Sequence, residues 1–267
     1  MRFFDALHRL PGILRLCTAP GARVARAALR ARRHAPRAPT DQRRVAELAA
    51  VTSRGQSADF SARVDVEDLC LQLESLNPSA DPSAGLDGSW RLAYASVEAF
   101  RSSPFFWAFQ AATGSEDTAA SIFAFTAGLP VAGTKGPFGL ISQRFELPPG
   151  AEGGRLVSEV AMTLFDPFFA VLPGVSGTVV TEARLRRDAA DEPSLLRVTV
   201  ETTRVVASNV GPPGALDGIA APVESALAAL RGGASLEVPL RTRYCDQDLR
   251  IARIGAREDQ IFVYVRA

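Results

Sequence analysis

Three observations point to a mainly β protein, an antiparallel β-barrel of about eight to nine strands with a few short flanking α-helices. From Trp90 onward, apolar residues recur with period two in run after run, the mark of half-buried strands. The runs are short, and most are joined by Gly, Pro and Asp, as antiparallel connections are. The roughly 225 residues that follow an atypical basic start lie within the range of a single all-β barrel.

Residues 1–40 stand apart from the rest. They hold nine arginines and a single acid, Asp5. Arg-rich, acid-poor text of this kind is that of an organellar transit peptide, so a removable leader is expected. Its apolar stretch, Leu10 to Leu16, is broken by Pro11, Gly12 and Arg15 and falls far short of the roughly 20 residues of a membrane span. A basic arm that stays attached and binds nucleic acid has the same composition. Residues 41–65 read as a helical N-terminal segment, with the helix over 41–54. The folded domain is expected over 66–267.

The domain opens with a second helix, Val66 to Leu76, in which Leu69, Leu73 and Leu76 have helical spacing. Asn77-Pro78 ends it, because proline disfavours the helical state of the residue before it. Four alternating runs follow after a turn-rich connection: Trp90-Leu92-Tyr94, Val179-Thr181-Ala183-Leu185, Val238-Leu240-Thr242-Tyr244 and Ile261-Val263-Val265. Runs at 121–127, 139–147, 155–165 and 195–207 also read as strands, and a helix interrupts at Ala220 to Leu230. Closing such a sheet removes its edges, and about eight strands enclose room for one small ligand. A sandwich with a packed core is the competing shape.

Charge and absences exclude several functions. Taking the leader's charges from the 30 basic and 29 acidic residues leaves 21 against 28, a balance of about −7. That is a poor basis for phosphate contacts, so no nucleic-acid partner is expected. Both histidines, His8 and His34, lie in the leader. The remainder therefore lacks the imidazole of serine and cysteine nucleophile systems and of most metal sites. Cys70 and Cys245, 175 positions apart, match neither a disulfide framework nor zinc spacing, and read as small buried apolar residues. There is no phosphate loop, and the single lysine, Lys135, sits in a Gly-Thr-Lys-Gly-Pro loop. Asp81, Asp87, Asp166, Asp246 and Asp248 do not converge in the sequence and read as turn formers. No catalytic residue, metal or cofactor is expected.

The aromatic residues are more informative: 15 Phe against two Trp and three Tyr. Phe105-Phe106-Trp107 and Phe168-Phe169 fall between strands, either as an apolar rim that contacts membranes or as a plug over one end of the barrel. Candidates for the inner surface are Leu92, Tyr94, Phe123, Phe125, Phe145, Met162, Leu164 and Val198, although a one-residue slip exchanges the two faces of any strand. Gly88-x-Trp90 opens the first strand. Its indole is expected at the closed end under an arginine from the last strands, Arg250 or Arg253.

Two blocks of sequence carry a family resemblance. The first is Leu73-Glu-Ser-Leu-Asn77-Pro78 followed by Leu86-Asp-Gly-Ser-Trp90-Arg-Leu-Ala-Tyr-Ala-Ser96. The second runs from Leu240 through Tyr244-Cys-Asp-Gln-Asp248-Leu-Arg250-Ile-Ala-Arg253 to Ile261-Phe-Val-Tyr-Val265, with Val200-Glu-Thr-Thr-Arg-Val205 between them. Together they resemble the plastid lipid-associated proteins, the fibrillins, over about residues 66–266. Cys245 and Arg243 depart from the family text, and 97–150 matches loosely. The resemblance implies a lipocalin-like barrel associated with thylakoids or plastoglobules, and a chloroplast transit peptide as leader. Its implied partners are an isoprenoid lipid, quinone, carotenoid or fatty acid, the plastid membrane surface and a lipid-biosynthetic enzyme. Gly88, Trp90, Tyr244, Asp248, Arg250 and Arg253 are implied to be structural, and no catalytic residue is carried over. A coat or scaffold protein without an internal ligand is a second reading, and a barrel enzyme acting through carboxylates a third.

Overall fold

The computed structural model describes residues 38–115, 118, 138–148, 150–164, 175–187, 194–209, 220–225, 236–254 and 258–267. Its strands are β1 (Gly88–Ala95), β2 (Phe138–Glu146), β3 (Gly153–Leu164), β4 (Val175–Arg187), β5 (Leu195–Val206), β6 (Ala220–Pro222), β7 (Glu237–Cys245), β8 (Leu249–Ile254) and β9 (Gln260–Arg266). All pairings are antiparallel. Eight strands form a ring-like sheet, β1-β2-β3-β4-β5-β7-β8-β9, in which β9 returns to β1. The pairing of β4 with β5, Thr178↔Val206 to Arg187↔Leu196, joins what would otherwise be two open edges. The short β6 lies beside Thr202–Arg204, while β7 pairs with the other half of β5. The mainly β class expected from the period-two runs is what the chain adopts.

Three helices complete the described fold: α1 (Ala38–Val51), α2 (Phe60–Ser75) and α3 (Pro104–Thr113). Asp59 caps α2 by accepting from the Ala62 amide at 2.8 Å, so the helix begins six residues before the expected Val66. Proline at its first position starts α3, and Gly114 in the left-handed region ends it. The aromatic cluster expected between strands is thus helical. The expected strand at 121–127 lies outside the described residues. At 220–225 the chain makes β6 and then turns helical.

Two apolar clusters lie on the two faces of the sheet. Inside the ring, Trp90, Leu92, Ile141, Phe145, Leu156, Val198, Leu240 and Phe262 pack against Phe100, Phe106 and Trp107. Outside, Val45, Ala49, Val66, Leu69, Cys70 and Leu73 of α1 and α2 cover Tyr94, Tyr244, Ile251, Ile261 and Val263. Strands β8 and β9 are therefore buried on both faces, which accounts for the unbroken apolar run Ile261–Tyr264. Arg253 faces outward and pairs with Glu74 of α2 at 2.7 Å. Burial pushes the Glu74 carboxyl upward in spite of that arginine.

Two bulges decide the phase of this packing. Ala93 is the extra residue where Leu92 faces Tyr264 and Tyr94 faces Val263. Arg243 plays the same part where Thr242 faces Ala252 and Tyr244 faces Ile251. Each bulge rotates the next tyrosine outward and the residue after it, Ala95 or Cys245, inward. Tyr94, expected beside Leu92 on the inner surface, is for this reason in the outer cluster.

Gly55 holds the α1–α2 connection against the end of β1. Its φ is +86°, and a Cβ there would lie 2.6 Å from the Tyr94 ring and closer still to the Ala95 carbonyl oxygen. The Ala95 amide donates to the Arg54 carbonyl at 3.0 Å, so the backbones cannot simply separate. Gly55→Ala is expected to cost about 3 kcal/mol in chemical denaturation, from strain and overpacking together. A midpoint equal to that of the unsubstituted chain would contradict this docking.

Candidate functional site

The inner surface is apolar except for a belt of polar residues around Arg250. In phase with Ala252 and Ile254, Arg250 points into the ring and is 0% exposed. Its guanidinium lies 4.6 Å from the ring centroids of both Phe145 and Tyr264. Nη1 donates to Gln143 Oε1 at 2.9 Å, and Gln143 Nε2 donates to the Ser102 carbonyl at 2.8 Å. Ser102 belongs to the 3₁₀ turn Ala99–Ser102 that precedes α3, so the arginine is connected to the helix that packs inside the ring.

No carboxylate pairs with Arg250 among the described residues, and its Nε and Nη2 have no hydrogen-bond partner. The Ser158 hydroxyl is likewise buried without a hydrogen-bond partner among the described residues, while the Tyr264 hydroxyl lies beside the Ser102 and Gln143 side chains. Ser158 faces Gln143 across β2–β3, and Tyr264 faces Arg250 across β8–β9. Burial pushes Arg250 down from its usual value while Tyr264 and Cys245 oppose that shift. A guanidinium nevertheless keeps its proton in proteins. Burial also pushes the Tyr264 phenol up to about 12, so it remains a neutral hydroxyl. The belt is thus a fixed positive charge with spare donors in an apolar enclosure. It can hold an acceptor or an anion. Burial raises both thiols, Cys245 to about 11 and Cys70 further, which leaves them unreactive.

The remaining candidates fall in several places. Leu92, Phe145 and Val198 are inside the ring. Met162, half-buried near the end of β3, continues the phase of Leu156, Ser158 and Val160. The side chain of Leu164, and all of Phe123, Phe125, Phe168 and Phe169, lie outside the described residues. Phe106 and Trp107 are 0% and 2% exposed and plug the ring instead of forming an exposed rim. Phe106 meets Phe100 edge-on at 5.1 Å, and Trp107 Nε1 donates to the Arg101 carbonyl at 2.6 Å. Phe105 is half-buried and stacks on Phe109.

The residues implied to be structural take these places, Trp90 with another arginine than expected. Trp90 donates to the Leu86 carbonyl at 2.8 Å and lies under an arginine, but that arginine is Arg266, 4.3 Å from the ring. Arg250 is in the interior instead, and Arg253 is outside on Glu74. Gly88 adopts φ +115°, and a Cβ on it would meet Arg266 Nη1 at 2.6 Å. Asp246, not Asp248, organises the β7–β8 turn. It accepts from the amides of Asp248 and Leu249 at 2.9 and 2.8 Å, from the Tyr244 hydroxyl and from Gln42 of α1. Asp248 contributes its backbone, its carbonyl accepting from the Arg266 amide. A cleft of about 590 Å³ lined by Asp81, Glu152, Arg186 and Arg187 opens outside the ring, where Arg187 pairs with Asp81 at 3.1 Å.

Two measurements test this arrangement. Phe106→Ala should cost roughly 3–5 kcal/mol, the penalty of a large-to-small core change, and leave liposome association of the folded fraction unchanged; a stable variant with weakened association would place Phe106 at a rim. Burial alone would raise the Asp246 carboxyl, but its four hydrogen bonds hold it below the ordinary 3.8. Its contribution is then present above that value and lost as pH falls through the folded value. Asp246→Asn should remove about 1–2 kcal/mol at neutral pH and flatten the loss of stability on acidification. An unaltered acid limb would show that the knot is not ionised.

Against known proteins, the family model PAP_fibrillin matches residues 40–109, which hold α1, α2, β1 and the start of α3. No curated protein and no solved structure matches the chain. The matched family is a lipid-associated, structural one of plastids, in keeping with the resemblance carried by Leu73–Ser96. The matched segment, together with the resemblance carried by the two sequence blocks, supports a relation to the plastid lipid-associated proteins, or fibrillins, over residues 40–109.

Proposed function

We propose that this chain binds or transfers a hydrophobic lipid, an isoprenoid or a fatty acid, at thylakoids or plastoglobules. The observation that carries the reading is the interior of the ring-like sheet: an apolar enclosure in which Arg250 and Ser158 keep hydrogen-bonding groups without partners among the described residues. Buried donors left unpaired cost free energy that an acceptor on a bound molecule would recover. An amphipathic lipid matches both the apolar walls and the donors. A plastid location agrees with the family; association with a particular membrane is part of the proposal.

One observation favours a second reading, a coat or scaffold that recruits a lipid-synthesising enzyme without an internal ligand. Phe106 and Trp107 of α3 pack within the described interior, and the cleft beside Arg187 is lined by none of the inner residues. Under the first reading α3 must yield to the lipid.

Protein isolated from plastids, extracted with organic solvent and examined by mass spectrometry, should release about one equivalent of isoprenoid lipid or fatty acid. A lipid-free protein that still fractionates with plastoglobules would overturn lipid carriage and leave the coat reading. N-terminal sequencing of the same material should find the leader gone, with cleavage between about residues 34 and 50. An intact Met1 would contradict the transit peptide.

A further inference from the structure

Arg250 is in the wrong environment for a purely structural arginine. Moving a charged group out of water is expensive unless it is paired and hydrogen-bonded. The outward arginine of the same strand, Arg253, has its carboxylate, Glu74, at 2.7 Å. At the end of the ring, Arg266 donates to the Asp87 and Gln247 carbonyls at 3.0 and 2.5 Å while lying over Trp90. Among the described residues, Arg250 has only the Gln143 amide oxygen and two aromatic faces. Cation–π contacts offset part of the desolvation but leave Nε and Nη2 with no acceptor.

We propose that Arg250 binds the carboxylate of an aliphatic acid held inside the ring, the hydroxyl of Ser158 supplying a further donor. The proposal rests on the lipid-carrying reading above and narrows it from hydrophobic lipids in general to those with an ionised head. A neutral quinone or carotenoid would satisfy the hydrogen bonds but not the charge, whereas a carboxylate satisfies both and matches the planar fork of a guanidinium. Phe145, Leu92 and Val198 on the same inner surface are then neighbours of the hydrocarbon chain. Gln143 is a positioning residue: it fixes Nη1, and through the Ser102 carbonyl it connects the head site to the turn before α3. A ligand arriving at Arg250 therefore disturbs α3, and Trp107 reports it.

The test compares sodium oleate with methyl oleate, which have the same chain but a charged and a neutral head, on the full chain. Binding is followed by calorimetry and by the fluorescence of Trp90 and Trp107. Oleate should bind about tenfold or more tightly than methyl oleate, the usual worth of a hydrogen bond to a charged group. Oleate labelled with carbon-13 at the carboxyl should stay ionised, when bound, to a lower pH than free oleate. Arg250→Met should bring oleate down to the affinity of methyl oleate and leave methyl oleate unchanged. Removing an unpaired buried charge in this way should not lower thermal stability without lipid. The lipid comparison and the carbon-13 titration stand without the variant should it fail to fold. Equal affinities of the unsubstituted chain for the two lipids, or a preference that survives Arg250→Met, would overturn the carboxylate site while leaving lipid carriage intact. Binding of neither lipid would overturn both.

Discussion

Arg250 is removed from water inside the ring, and keeping a charge there constrains the strands around it. Its neighbours on β2 and β9 must offer ring faces and a side-chain acceptor, and they do so with Phe145, Tyr264 and Gln143. Because side chains alternate along a strand, placing Arg250 inside commits Leu249, Ile251 and Arg253 to the outside. The outer face must then be covered. Helices α1 and α2 cover it with Val45, Val66, Leu69 and Leu73, and Glu74 meets the outward Arg253. The two bulges serve the same division, since each sends a tyrosine to the helices and a small residue to the interior.

The ring is sealed differently at its parts. Trp90 under Arg266 closes it where β1 begins and β9 ends, with Gly88 giving the guanidinium room. Inside, α3 packs Phe106 and Trp107 against the walls, and the turn before it is joined to the belt by the Ser102–Gln143 bond. A core plug with so apolar a composition can exchange for a hydrocarbon chain at little cost in buried apolar area, since both remove comparable surface from water. That equivalence links a packed interior to a lipid-associated family without requiring a permanent cavity.

Much of this was legible in the sequence, and the failures have physical causes. The mainly β class followed from period two, and it survived because strands such as β1, β2 and β7 keep their alternation over most of their length. Strand β8 was not visible as a strand because arginines at 250 and 253 put a charge on each of its faces. Tyr94 was assigned to the wrong side because a bulge leaves no trace in a period-two count. The Phe105–Phe109 cluster looked irregular because a helix that is apolar nearly all round has no polar stripe to reveal its 3.6-residue period. The stacked pair over Trp90 was anticipated as a device, but its arginine was expected to be Arg250 or Arg253, and only the register selects Arg266. The polar belt could have been suspected from Gln143 and Ser158, polar residues at inward positions of otherwise apolar strands. Their convergence on Arg250 depends on the ring closing.

The measurement that goes most directly to the buried charge is a high-resolution crystal structure of the protein purified from plastids with its lipids retained. A carboxylate within hydrogen-bond distance of Arg250 Nε or Nη2, its chain running along Phe145 and Leu92 with α3 displaced, is the predicted result. An interior filled by α3, with a water molecule or chloride on Arg250 and lipid only on the outer surface, would contradict it.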